Sequence, residues 1–200
     1  ASSSGLFILT VNAVNDAPTL EYLEDIIFNE DSSSTIDLFG SDIDSDELSF
    51  TISSGDNITG SLDGQSLTFS APQDYNGSEL FVVSISDEGL SDSQELLITI
   101  NSINDAPYFN TQSLASVEED IAYNFSIDVA DIDSQNLNLS ISSGPSWLGI
   151  NGLDLNGTPL DSDVGVHNVT LNVTDGDLFS SNDFILEVLA VNDPPVAESQ

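Results

Sequence analysis

The chain has 200 residues and 39% hydrophobic content, carries 35 Asp and Glu against no Lys or Arg, and has a formal net charge of −35. With no Cys either, disulfides, thiolate metal sites, Lys-based Schiff bases and ion pairs to Lys or Arg are all excluded, and the sign of the charge excludes nucleic acid as a partner. Two unit charges about 4 Å apart repel by roughly 1 kcal/mol in water, so the acids oppose folding unless solvent or bound cations offset them.

At the amino end, the alternating run Phe7-Ile8-Leu9-Thr10-Val11 reads as the last strand of a preceding repeat, so residues 1–13 are expected to be that residual strand or a flexible leader. Val14-Asn15-Asp16-Ala17-Pro18 follows, and it recurs as Ile103-Asn104-Asp105-Ala106-Pro107 and Val191-Asn192-Asp193-Pro194-Pro195, 89 and then 88 residues on. A period of that length is a domain. Proline fixes its own φ and pushes the residue before it toward extended geometry, so each copy is a short, stiff joint.

The joints bound two modules, 14–102 and 103–190, with 191–200 as the linker to a further repeat. In the first module, residues 34–38, 48–52, 66–69, 79–86 and 95–100 are short alternating or β-branched runs, separated by Gly, Asn, Asp and Ser. The second repeats the plan at 123–129, 137–141, 147–150, 166–173 and 184–188. Such runs predict strands joined by turns. No stretch carries a capped 3.6-residue apolar period, and none is apolar over eighteen residues. The expected fold is all-β, two tandem antiparallel sandwiches of about seven strands each, with no membrane insertion in this stretch.

Counted from the Asp of each joint, the acids fall into register. Glu30-Asp31 stands 14 and 15 residues after Asp16, and Glu119-Asp120 stands 14 and 15 after Asp105. Asp42-Ile43-Asp44 and Asp131-Ile132-Asp133 both sit at 26 to 28, and Asp87 and Asp175 follow at 71 and 70. A lone Asp-x-Asp is solvated surface more often than a site. Shared offsets beside a joint, in modules otherwise only loosely alike, point instead to a common task. In extended chain, Asp-x-Asp would aim two carboxylates at one ion while the Ile between them enters the core.

These joints and acids resemble the cadherin-like repeats, in particular bacterial tandem modules with a Val-Asn-Asp-Ala-Pro type linker. Through Pro145-Ser146-Trp147-Leu148, Leu155-Asn156-Gly157-Thr158-Pro159 and Val173-Thr174-Asp175-Gly176, the second module is also similar to a dystroglycan-type cadherin-like domain. The resemblance implies Greek-key sandwiches of immunoglobulin/cadherin type with calcium ions at the joints. Calcium takes six to eight oxygens from carboxylates, carbonyls and water. Carried onto this chain, the central joint would draw on Glu30, Asp74, Asn104, Asp105, Asp131, Asp133 and Asp175. The first joint would use Asn15, Asp16, Asp42, Asp44 and Asp87, and the last Glu119, Asn192 and Asp193.

The implied role is a calcium-rigidified piece of a secreted or cell-surface adhesion protein, with other surface proteins or polysaccharide as partners and no enzymatic activity. There are departures from the family pattern. Ser102, Ala13 and Ala190 stand where cadherins carry an Asp before the linker, Ala106 replaces the linker's second Asn, and the Asp-Arg-Glu motif is missing. One or two ions per joint are therefore expected rather than three.

Two other readings fit the composition. One is a pair of carbohydrate-binding modules attached to a polysaccharide-active enzyme, which requires an exposed aromatic platform; Trp147, the single Trp, reads as a core residue rather than a sugar-stacking one. The other is a metal-free acidic spacer. Asp74-Tyr75-Asn76-Gly77 reads first as a tight turn with Gly at positive φ. His167, the single His, has no partner for a His-metal site and is expected to face solvent or a turn.

Overall fold

The structure, a computed structural model, describes residues 5, 6, 8–44, 47–87 and 89–192. The chain divides into two compact units, Ala1–Ile103 and Asn104–Gln200, and each has its own hydrophobic core.

The first unit holds β1 (Thr19–Leu20), β2 (Ile26–Asn29), β3 (Ser33–Asp37), β4 (Gly40–Ser41), β5 (Ser49–Ile52), β6 (Thr59–Asp63), β7 (Ser66–Ser70), β8 (Gly77–Ser86) and β9 (Ser91–Asn101). One sheet runs β2-β9-β8-β5 and the facing one β3-β7-β6, with the short pair β1-β4 beside them. The chain passes between the two facing sheets from β2 to β3, from β3 by way of β4 to β5, from β5 to β6 and from β7 to β8, so the sandwich is of Greek-key type. β2 lies parallel to β9, whereas β8 and β9 form a ten-pair antiparallel hairpin.

The second unit repeats this with β10 (Tyr108–Phe109), β11 (Val117–Glu118), β12 (Tyr123–Ser126), β13 (Val129–Ala130), β14 (Asn138–Ser143), β15 (Gly149–Asn151), β16 (Asp154–Gly157), β17 (Gly165–Thr174) and β18 (Phe179–Leu189). Its sheets are β11-β18-β17-β14 and β12-β16-β15, and β10 pairs with β13. A 3-10 turn at Asp161–Asp163 precedes β17. Among the described residues, no helix is long and apolar enough to cross a membrane.

Alternation builds both cores. On β8 and β9, Phe81, Val83, Ile85, Leu96 and Ile98 are fully buried while Leu80, Val82 and Leu97 face outward, as the period of two dictates. Phe69 and Phe81 meet edge to face with ring centroids 5.1 Å apart, and in the second core Tyr123 meets Trp147 edge to face at 6.2 Å. Trp147 is half-buried against that core, as its sequence context predicts.

Ile8, Leu9, Thr10 and Val11 form no strand, and Ile8 and Val11 are more than four-fifths exposed; an alternating run becomes a strand only beside backbone it can pair with. Phe7 lies outside the described residues. His167 is half-buried on β17, and its Nε2 lies 2.5 Å from the carbonyl of Asp163 in the 3-10 turn, so it faces a turn, one of the two settings expected for it. The same strand position in the first unit is Glu79. Its carboxylate accepts the backbone N–H groups of Asp56, Asn57 and Ile58 at 2.9, 2.8 and 3.3 Å, tying the β5–β6 loop to β8. Burial would raise its pKa, but these hydrogen bonds and the Asn57 side chain outweigh that and lower it.

Candidate metal site at the poles of each repeat

At the entry pole of the first unit, the residues before β1 meet the β4–β5 loop and the β8–β9 turn. Asn15 Nδ2 donates to Asp87 Oδ2 at 3.0 Å, the backbone N–H of Asp16 donates to Asp44 Oδ2 at 2.8 Å, and that of Asp44 to Asp42 Oδ1 at 2.7 Å. The second unit reproduces the set bond for bond. Asn104 Nδ2 donates to Asp175 Oδ2 at 2.8 Å, Asp105 N–H to Asp133 Oδ2 at 2.8 Å, and Asp133 and Ser134 N–H to Asp131 Oδ1 at 2.8 and 2.7 Å.

These bonds fix where the carboxylates point. They also hold the hairpin acids ionised: the Asn104 amide, then the N–H groups of Leu178 and Asp177, lower the Asp175 pKa. The N–H groups of Leu90 and Gly89, then the Asn15 amide, do the same for Asp87. The Ile between each Asp pair does not enter the core: Ile43 is 80% and Ile132 51% exposed. Each Asp-Ile-Asp closes a side-chain-to-backbone turn, so strand alternation does not govern it.

At the exit pole, the acid after β2 or β11 reaches the end of the last strand. Glu30 Oε1 accepts the N–H of Ile103 at 2.5 Å, and Glu119 Oε1 that of Val191 at 2.6 Å. Both are nearly sealed from solvent, at 6% and 2% exposure, and are the buried charged residues of the described chain. In the first unit, Asp74 N–H donates to Asp31 Oδ1 at 3.0 Å, and carboxylate oxygens of the two lie within 4.8 Å. Both backbones are left-handed, φ 58° at Asp31 and 56° at Asp74. The expected tight turn is there, but it places Asp74, and not only Gly77, at positive φ.

Asp31 was not among the residues expected at the site. Its signal was present as the second member of the registered Glu-Asp pair. Asn192 is exposed beyond β18, and Asp193 lies outside the described residues.

One oxygen of each inward acid is left over. Glu30 Oε2, Asp42 Oδ2, Asp74 Oδ1, Glu119 Oε2 and Asp131 Oδ2 are all buried without a hydrogen-bond partner. A buried carboxylate oxygen with nothing to neutralise it is costly, and no Lys or Arg exists in the chain to answer it. The donor set is oxygen throughout, with no imidazole or thiolate, which suits a hard divalent cation such as calcium rather than zinc.

Residues 15–99 match the bacterial Ig domain family, and residues 106–189 match the family described as "Putative Ig domain". No curated protein matches. Among solved structures, human protocadherin-24 EC1-2 is 21% identical, with 90% of this chain and 100% of that one covered at a TM-score of 0.59. Drosophila N-cadherin EC1-4 is 18% identical over 89% of this chain and 50% of that one, at 0.57. These likenesses show the fold. An endo-fucoidan hydrolase of glycoside hydrolase family 107 is 23% identical; the chain spans 30% of its length at a TM-score of 0.42, too distant a likeness to carry more.

Proposed function

From a chain that consists of two tandem Ig-like, cadherin-like repeats, we propose a calcium-binding, calcium-rigidified segment of an extracellular or cell-surface adhesion protein, with no catalytic role of its own. The observation that carries this reading is the set of unpartnered buried oxygens, recurring as Glu30 with Glu119 and Asp42 with Asp131. Each of these acids spends one oxygen on the backbone of its own pole and keeps the other for something positive.

The proposed ligands are those expected from the sequence, with Asp31 added. Asn15, Asp16, Asp42, Asp44 and Asp87 serve the first joint. Glu30, Asp31, Asp74, Asn104, Asp105, Asp131, Asp133 and Asp175 serve the central one, and Glu119, Asn192 and Asp193 the last. Calcium supplies the concentrated positive charge that the chain lacks. Glu30 acts on the last residue of the first unit, Ile103, and the next residue in the chain, Asn104, opens the second unit's entry set.

Calorimetric titration with calcium, paired with small-angle scattering in calcium and in chelator, tests the reading. Expected are a binding isotherm at or below millimolar calcium and a longer, narrower distance distribution in calcium. No heat, no thermal shift and an unchanged maximum dimension would leave only an acidic spacer. Asp133→Ala should weaken calcium binding far more than Asp37→Ala, which lies outside the set.

A further inference from the structure

The outer face of the β3-β7-β6 sheet in the first repeat is paved with hydroxyls. The antiparallel register sets Ser33, Ser70 and Thr59 in one row and Thr35, Thr68 and Ser61 in the next. The residues between them, Ile36, Leu67, Phe69 and Leu62, turn to the core. A third row, Asp37, Ser66 and Asp63, closes one end. Beyond it Phe39, 52% exposed, continues the outward alternation of β3. Neighbouring strands lie about 4.8 Å apart and successive outward residues about 6.7 Å apart along each strand. The Thr35 and Thr68 hydroxyls are within 2.8 Å of each other.

We infer that this face binds a neutral polysaccharide chain. Every Ser and Thr hydroxyl is both donor and acceptor, the same duality as a sugar hydroxyl. The two hydroxyl rows are uncharged in a chain of net charge −35, so a neutral polymer meets no repulsion there and an acidic one is turned away by the rest of the molecule. The centre of a protein interface is enriched in aromatic residues, Met and Arg, and the two hydroxyl rows hold none. Phe39 supplies an aromatic face for the C–H side of a sugar ring, and Asp37 and Asp63 accept charge-assisted hydrogen bonds from ring hydroxyls.

The second repeat does not share the device. Its corresponding rows are Asn124 with Asn156 and Gly149, and Ser126 with Asp154 and Asn151. The surface therefore belongs to the first repeat, and it goes beyond the calcium reading.

Affinity electrophoresis of the 200-residue chain through gels containing dextran, laminarin or alginate tests it, run in calcium and in chelator. Retardation by a neutral glucan and not by alginate is expected. The isosteric pair Thr35→Val with Thr68→Val should abolish it, as should Phe39→Ala, with melting curves confirming that the variants are folded. Thr99→Val, on the outer face of the other sheet, should leave it intact. No retardation by either neutral glucan, retardation by alginate alone, or full retention in both the Val pair and Phe39→Ala overturns the inference.

Discussion

Glu119 is an acid 2% exposed, with one oxygen on the Val191 N–H and the other without a partner. Removing its charge should therefore have opposite consequences in different solvents. In chelator, Glu119→Gln relieves a buried charge and should melt higher than the parent; in calcium it would remove a proposed ligand and should melt lower. Differential scanning calorimetry reads both. A variant that is less stable in both solvents would make Glu119 a purely structural acceptor.

Asp175 gives the matching pH test. Its carboxyl pKa, followed by NMR in chelator, should lie below the ordinary Asp value of about 3.9, and Asn104→Ala should raise it by removing the largest cause. The sign follows from linkage. A carboxylate depressed in the folded state contributes its full stability above the unfolded pKa and loses it as pH falls through the lower folded value. The pole should therefore loosen only in acid below about pH 4. The offsets in the sequence were enough to group Asn15 with Asp87 and Asn104 with Asp175. The left-handed turn that brings Asp31 to Asp74 depends on contacts 43 residues apart, which no local pattern encodes.

Among the elements, the long hairpins were the most legible. The runs at 79–86 and 95–100 became β8 and β9, and those at 166–173 and 184–188 became β17 and β18, because one buried face imposes strict alternation. Short strands were legible where β-branched or aromatic residues alternate, as at β3, β5, β7, β12 and β15. β1, β2, β4, β6, β10, β11 and β16 went unseen; of these, β6 and β16 are built on Gly-Ser-Leu-Asp and Asp-Leu-Asn-Gly, poor strand formers that pair because a neighbour offers backbone.

Two substitutions probe the first unit's sandwich. Phe81→Ala, at a fully buried position packed on Phe69, should cost about 3–5 kcal/mol and lower only the unfolding transition of the first repeat, since the second has a separate core. Glu79→Ala removes the acceptor of three backbone donors of the β5–β6 loop, of which only the Ile58 N–H is shielded from water, and should cost about 1 kcal/mol. Hydrogen exchange at Asp56, Asn57 and Ile58 would report the release, and unchanged protection there would show that the loop is held by other contacts.

For the molecule as a whole, the pairing of the second strand of each repeat with its last decides how that repeat carries load. β2 runs parallel to β9 over four residue pairs, and β11 runs parallel to β18 over two. A chain tugged from both ends would pull such partners past one another lengthwise, so their hydrogen bonds must rupture together instead of opening one after another like a zip. The repeat with the shorter overlap is the weaker link. In single-molecule stretching, the second repeat should yield first and at the lower force, so the chain would lengthen by one repeat before the other gives way.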